Sequence, residues 1–252
     1  MSPGKPHNLC VILCAERSGS TLLSTLLGGH DQVLAPPETH LFRWPTYEEW
    51  RTTYPRALVS LRWLLNQLDA SELDPGSLFA GRSPVEVWRW LLDRAGTDRV
   101  LVEKTPAYAR SDETLARIEI LGPFYLHLVR HPIAVAASHL DRKRRELAAD
   151  AADSLAARSP ARLVRSLGRY ARAAAVRVIP GEHRRRLLRR FEYWTDQHRR
   201  IERFLAAIPP ERWLRVGFEP MVAEPERSLR RICGALDLDF QPAMLDPSAH
   251  LP

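Results

Sequence analysis

The chain has 252 residues, of which 45% are hydrophobic and 27% are charged. This length suits one domain or two small ones, and the composition excludes a mainly disordered chain because enough apolar surface is present to offset the loss of chain entropy. No run of about 18 apolar residues occurs, so we expect no transmembrane helix and no stable insertion into a membrane. The N-terminus lacks the apolar core of a signal peptide, which favours a cytoplasmic protein.

The chain carries a formal net charge of +7, from 37 basic and 30 acidic residues. Two explanations remain open: the arginine-rich composition of a GC-rich genome, or a positive field that attracts an anionic ligand. The basic residues are scattered and are not interleaved with aromatic ones, so nucleic acid is disfavoured as a partner. Cys10, Cys14 and Cys233 lack metal-binding spacing, so we expect free thiols and no metal site.

Apolar runs that alternate with amphipathic segments predict a parallel sheet covered by helices on both faces. The predicted strands are residues 9–14, 32–35, 99–103, 124–130 and 213–217. Helices are predicted at 22–28, in an insert at about 46–98, and at 112–121, 133–147, 191–207 and 224–236. Residues 148–190 are rich in alanine and arginine and predict helix with a mobile region. We therefore expect a single α/β domain over residues 1–252.

A polar loop follows the first buried strand and precedes the first helix. It contains Arg17, Ser18, Gly19, Ser20 and Thr21. Unpaired N–H groups at a helix start, a glycine turn, an arginine and hydroxyl groups together suit an anion such as phosphate. The alternative is a simple helix start capped by Ser18 or Ser20. The loop lacks the Gly-Lys-Ser/Thr triplet of a Walker A sequence.

A second strand-to-helix junction carries Arg130, with Ser138 in the helix that follows. Such junctions bind ligands in open α/β sheets, and the two side chains could converge on one phosphate. Alternatively, Arg130 forms a salt bridge and Ser138 has no role beyond its place in the helix.

These patterns occur together with others in a recognisable order. The segments are 17–23 (RSGSTLL), 36–40 (PPETH), 103–106 (EKTP), 130–138 (RHP…S) and 218–225 (FEPMVAEP). In this order they resemble the sulfotransferases that use 3′-phosphoadenosine 5′-phosphosulfate, over about residues 8–240. The resemblance implies a three-layer α/β/α domain related to nucleotide kinases, and a donor that needs no metal. Unlike the cytosolic hormone and phenol sulfotransferases, the chain has no Lys-Ser-Gly-Thr loop and no C-terminal Gly-x-x-Gly-x-x-Lys loop.

The resemblance also implies roles for particular residues. Arg130 and Ser138 would hold the 3′-phosphate of the donor. The 5′-phosphosulfate would be held by the first loop: Arg17, Ser18, Gly19, Ser20, Thr21 and Leu22. Arg17 and Lys104 would contact the transferring sulfonate.

The general base that the resemblance implies is Glu38, with His40 as second choice. Two residues apart, they share a face if the segment is extended. Alternatively, Glu38 pairs with Arg17 or Lys104, His40 is structural, and Glu103 holds Lys104 or Arg17 in place.

The predicted function is transfer of a sulfonate to a hydroxyl group. Acceptors of three classes fit: a small natural product, a carrier-bound acyl chain, and a carbohydrate or lipid. Two rivals remain: a small-molecule kinase that uses ATP and Mg²⁺, and a protein that binds adenosine 3′,5′-bisphosphate without catalysis.

Overall fold

The computed structural model describes residues 8–156 and 180–246. The chain divides into two units. The first comprises the described residues 8–130 and 197–246, and the second comprises 131–156 and 180–196.

Within the first unit, five parallel strands form one sheet in the order β2-β3-β1-β4-β5. The strands are β1 (Leu9–Cys14), β2 (Val33–Leu34), β3 (Val100–Glu103), β4 (Phe124–Val129) and β5 (Trp213–Gly217). All five predicted strands are therefore confirmed, each within the predicted bounds. β1 and β3 are buried at every position, which explains their continuous apolar sequences.

Both faces of the sheet are covered, as the alternation of residues along β1 demonstrates. Leu9, Val11 and Leu13 belong to one hydrophobic core, which includes the helical insert. The intervening residues of β1 belong to a second core, together with the helix after the first loop and the last helix. The α/β fold with helices on both sides of a parallel sheet is thus confirmed.

The helices occur where hydrophobic periodicity and capping signals favour them. Their bounds are α1 (Ser20–Gly28), α2 (Tyr47–Thr53), α3 (Leu58–Gln67), α4 (Pro75–Leu78), α5 (Pro84–Ala95), α6 (Asp112–Glu119), α7 (Pro132–Ala156), α8 (Pro180–Leu205), α9 (Phe218–Ala223) and α10 (Pro225–Ala235). The start of α5 illustrates the local cause: Ser83 and Glu86 cap each other's backbone N–H groups, and Pro84 occupies the first turn. The predicted insert contains α2 to α5.

The structure differs from the sequence prediction in two helices. α7 joins the predicted 133–147 helix to the first part of the helix predicted beyond it and continues to Ala156 as one element, and α9 was not predicted. Residues 148–156 and 180–190 of the predicted mobile region are helical. The remainder of that region, residues 157–179, lies outside the described residues.

Candidate functional site

Three neighbouring strands bring the candidate residues to one edge of the sheet. β1 lies between β3 and β4, and all three run parallel. The residues that follow their carboxyl ends include Arg17, Lys104 and Arg130. The strand order reverses at β1, and such a switch point is where open α/β sheets bind ligands.

The loop between β1 and α1 adopts a left-handed turn at two positions. The φ angles are 69° at Arg17 and 91° at Gly19. Gly19 is the N-cap of α1, and no side chain in the described part of the protein caps this helix start. The alternative, a helix start capped by Ser18 or Ser20, is therefore wrong. The first N–H groups of α1 keep their capacity for an anion.

Ser18 strengthens the case for a ligand at this loop. Its side chain is fully buried, and its Oγ has no hydrogen-bond partner among the described residues. Buried hydroxyl groups are normally paired, so an unsatisfied one next to a helix start fits a loop built for a bound group.

Phe218, the first residue of α9, packs directly against the loop. A Cβ atom built on Gly19 would lie 2.1 Å from Cε2 of Phe218, so no other residue fits there without displacing the ring. The Arg130 guanidinium lies 4.3 Å from the centroid of the same ring, and its Nη1 donates to the carbonyl oxygen of Arg17 at 3.0 Å. Arg130 and Phe218 thus support the loop from one side.

Ser138, the other residue predicted to hold the 3′-phosphate, lies on α7 in the second unit. Its role there stays a prediction.

The predicted acid–base residues form a connected cluster. Lys104 Nζ lies 3.0 Å from Glu38 Oε1 and donates to Thr21 Oγ1 at 3.3 Å. On the other side, His40 Nε2 lies 3.1 Å from Glu38 Oε2. Lys104 therefore links Glu38 to the start of α1. The ion pair between Glu38 and Lys104, an alternative in the sequence reading, is present.

The cluster controls the basicity of Glu38. Burial by itself would raise the pKa of Glu38, but the hydrogen bond from His40 and the charge and hydrogen bond of Lys104 outweigh it and lower the pKa to about 2. Glu38 is therefore a carboxylate that accepts a proton poorly while both partners hold it.

His40 reaches Glu38 by a route that the sequence did not predict. Its φ angle is 56°, which is left-handed, so the assumption of an extended segment is wrong although the two side chains do meet. The His40 ring lies 4.5 Å from the ring of Tyr54 and is mostly buried. Its Nδ1 is buried and has no hydrogen-bond partner among the described residues.

Sequence reasoning did not identify the network beneath this cluster. Thr105 Oγ1 and Thr39 Oγ1 donate to the two carboxylate oxygens of the fully buried Glu103, and Tyr108 approaches Thr39. Glu103 was expected to hold Lys104 or Arg17, whereas its hydrogen bonds go to the two threonines. A charged residue at the end of an otherwise apolar strand was the signal; its partner Thr39 lies 64 positions away.

A family model described as "Sulfotransferase family" matches residues 10–242. The chain belongs to this sulfotransferase family. A search of curated proteins found no match.

Solved sulfotransferases have the same fold. The sulfotransferase domain of the olefin synthase from Synechococcus PCC 7002 is 27% identical, with a TM-score of 0.69 over 98% of this chain and 79% of that one. The sulfotransferase domain from the curacin biosynthetic pathway is 25% identical, with a TM-score of 0.68 over 96% of this chain and 78% of that one. A sulfotransferase from Alicyclobacillus acidocaldarius, 18% identical with a TM-score of 0.50, is similar in fold alone; the match covers 100% of this chain and 87% of that one.

Two further structural findings concern the described residues only. No group of three or more His, Cys, Asp or Glu side chains is arranged to hold a metal ion. No described helix is both long enough and apolar enough to cross a membrane.

Proposed function

We propose that this sulfotransferase moves a sulfonate from 3′-phosphoadenosine 5′-phosphosulfate to the hydroxyl group of an acceptor, with Glu38 as the general base. The observation that carries the proposal is the position of Lys104 Nζ, which lies within 3.3 Å of both Thr21 at the start of α1 and Glu38. A cation in this position can stabilise an anion bound at the loop and also pair with the carboxylate of the general base.

The residues present fit the donor. The uncapped start of α1, the turn at Gly19 and the buried, unsatisfied Ser18 Oγ suit an anionic group such as the 5′-phosphosulfate. The residues that would hold it are Arg17, Ser18, Gly19, Ser20, Thr21 and Leu22. Arg130 and Ser138 would hold the 3′-phosphate. When bound, the donor supplies an already activated sulfonate, so the chemistry needs no metal.

The protein's part in the reaction is mainly electrostatic. Negative charge spreads over the transferring group in this type of reaction, as in phosphoryl transfer. Arg17 and Lys104 would supply the opposing positive charge, and the N–H groups of α1 would add to it. Lys104 would need only a short movement to do so, since its Nζ already lies 3.3 Å from Thr21 Oγ1 at the start of α1.

Glu38 would take the proton of the acceptor hydroxyl at a carboxylate oxygen. It suits this task better than His40 because its side chain is 36% exposed, whereas that of His40 is 10% exposed. An anion at the loop competes with Glu38 for the ammonium of Lys104. As Lys104 turns towards the anion, Glu38 loses a partner that lowers its pKa and becomes a stronger base. His40 remains to orient the carboxylate.

For the acceptor, we propose a metabolite hydroxyl, either on a small molecule or on a carrier-bound acyl chain. Two similar solved structures are sulfotransferase domains of an olefin synthase and of curacin biosynthesis, which supports this class over a carbohydrate or lipid. We further propose that the enzyme acts in the cytoplasm.

The test combines binding with transfer. Calorimetric titration with adenosine 3′,5′-bisphosphate and, separately, with MgATP separates the sulfotransferase from a kinase: we expect binding of the first and not the second. The protein is then incubated with sulfur-labelled donor and a panel of hydroxylated metabolites and acyl-carrier substrates. Label in an acceptor supports the proposal. Binding of the bisphosphate without label in any acceptor would favour the non-catalytic alternative.

A further inference from the structure

One buried carboxylate holds together the two segments that carry the cluster. Glu103, the last residue of β3, is fully buried. Its Oε1 accepts a hydrogen bond from Thr105 Oγ1 at 2.6 Å, and its Oε2 accepts one from Thr39 Oγ1 at 3.0 Å. Thr39 lies between Glu38 and His40 in the chain, and Lys104 lies between Glu103 and Thr105. The carboxylate thus joins the backbone next to every member of the cluster.

Further hydrogen bonds hold the backbone of the segment from Glu38 to His40. Thr105 Oγ1 accepts from the backbone N–H of His40 at 3.2 Å. The carbonyl oxygen of Thr39 accepts from Trp50 Nε1 at 2.8 Å. The carbonyl oxygen of Glu38 accepts from Ser60 Oγ at 3.1 Å. The segment is therefore fixed at each of its three residues.

This arrangement explains the left-handed conformation of His40. A non-glycine residue with φ of 56° adopts a less favourable backbone conformation, which persists only where surrounding contacts hold it. Here the contact is the hydrogen bond from His40 N–H to Thr105 Oγ1, and Thr105 is itself oriented by Glu103. Without that chain of contacts, the His40 backbone loses the hydrogen bond that holds it left-handed, and the contact with Tyr54 alone does not direct the His40 ring towards Glu38.

Burial of a charged group is costly, and an apolar residue would suit the core at this position equally well. Burial raises the pKa of Glu103, while hydrogen bonds from Thr105, Tyr108 and Thr39 lower it. Burial outweighs these hydrogen bonds, so the pKa of Glu103 is raised overall, and burial alone does not account for an acidic group here; the two threonine hydroxyls that it orients do.

We propose that Glu103 is a positioning residue: through Thr39 and Thr105 it sets His40 and Lys104 on either side of Glu38. The functional part of this inference rests on the proposed sulfotransfer reaction. Leucine would keep a similar volume at position 103 and remove both acceptor oxygens, so that neither threonine hydroxyl keeps the partner that orients it. Glutamine is a weaker test, because its amide oxygen can face Thr105 while Thr39 accepts from the NH₂ and donates to Tyr108 Oη, 3.3 Å away.

The first test needs no acceptor. In Glu103→Leu with ¹³C-labelled glutamate, NMR follows the Glu38 carboxyl carbon between about pH 4 and pH 8. In the native protein we expect this signal to stay constant, because its two partners lower the pKa of Glu38 to about 2. We expect it to titrate in Glu103→Leu as Glu38 loses its partners. Glu119→Leu is the matched control: Glu119 accepts from Arg212 and Tyr125 elsewhere in the fold, and the Glu38 signal should stay constant.

The second test uses turnover with an acceptor identified as above. Glu103→Leu is expected to lower kcat about tenfold or more through misplacement of the cluster, with the KM for the donor changed less than twofold. If Glu103→Leu does not fold, Thr105→Val and Thr105→Ser replace it: the valine variant should reproduce the loss and the serine variant should restore activity. A constant Glu38 signal in folded Glu103→Leu, or in folded Thr105→Val, overturns the proposal. A wild type without sulfotransfer would instead refute the proposed function and leave the NMR result to decide the positioning.

Discussion

Lys104→Met tests the electrostatic coupling at the centre of the site. Methionine keeps a similar length and removes the charge 3.0 Å from Glu38 Oε1. At that distance two unit charges attract by about 1.4 kcal/mol in water and about 5 kcal/mol at the effective dielectric of a protein surface. Because the Glu38 side chain is 36% exposed, the lower end applies, about 1–2 kcal/mol. The pKa of Glu38 should therefore rise by about one pH unit.

Lys104→Met should change the free energy of the catalytic step by more than it changes the pKa of Glu38. Removal of one group that stabilises transition-state charge commonly costs about 10²–10³ in kcat, and we expect a loss of that size. The assay measures the initial rate of adenosine 3′,5′-bisphosphate release, with its binding determined by calorimetry in parallel. Lys104→Arg should recover only part of the rate, since its planar group cannot reach both Thr21 and Glu38 in the same way. Full turnover in Lys104→Met would refute this reasoning.

The remaining predictions concern the loop and the dependence on pH. Gly19→Ala should weaken bisphosphate binding at least about tenfold, because the added methyl group clashes with Phe218. Gly81→Ala is the control: its φ is 71°, so alanine strains the backbone, but no atom lies close to the added methyl group and bisphosphate binding should be normal. Arg130→Ala should weaken binding by roughly 2–3 kcal/mol in calorimetry, and an unchanged affinity would contradict the assigned 3′-phosphate site. The lowered pKa of Glu38 stabilises the fold above its unfolded pKa near 4.5, and this contribution is lost as the pH falls towards about 2. The free energies of unfolding of the wild type and Glu38→Gln should accordingly converge below about pH 4.5, and a difference that stays constant in acid would count against the coupling.

The sheet was predictable because its physics is local. β1 and β3 are short apolar runs, and strands buried on both faces have the same appearance in sequence as in structure. α7 continues past residue 147 because residues 148–156 contain neither proline nor glycine to end a helix, so the boundary placed at 147 had no sequence signal behind it. α9 was missed because Pro220 falls inside it, within its first turn, where proline is tolerated.

The sequence predicted which residues belong to the cluster, but it did not predict the hydrogen bonds that hold them together. The order of segments identified Glu38, His40 and Lys104, and these do form one cluster. Their union depends on Glu103 and Thr39, which are far apart in sequence and meet only after β3 has joined the sheet. No local pattern encodes a contact between such distant residues. The same holds for Phe218 against Gly19, which a motif could suggest as neighbours but not as a steric constraint.

The central claim is that Glu38 removes the acceptor proton while the loop after β1 holds the donor. Mass spectrometry of an acceptor incubated with donor and either wild type or Glu38→Gln tests it most directly, with bisphosphate affinity measured for both proteins. We expect the acceptor to gain one sulfonate with the wild type and far less with Glu38→Gln, while the bisphosphate affinity of Glu38→Gln is equal to or higher than that of the wild type. Equal sulfonation by the two proteins would contradict it.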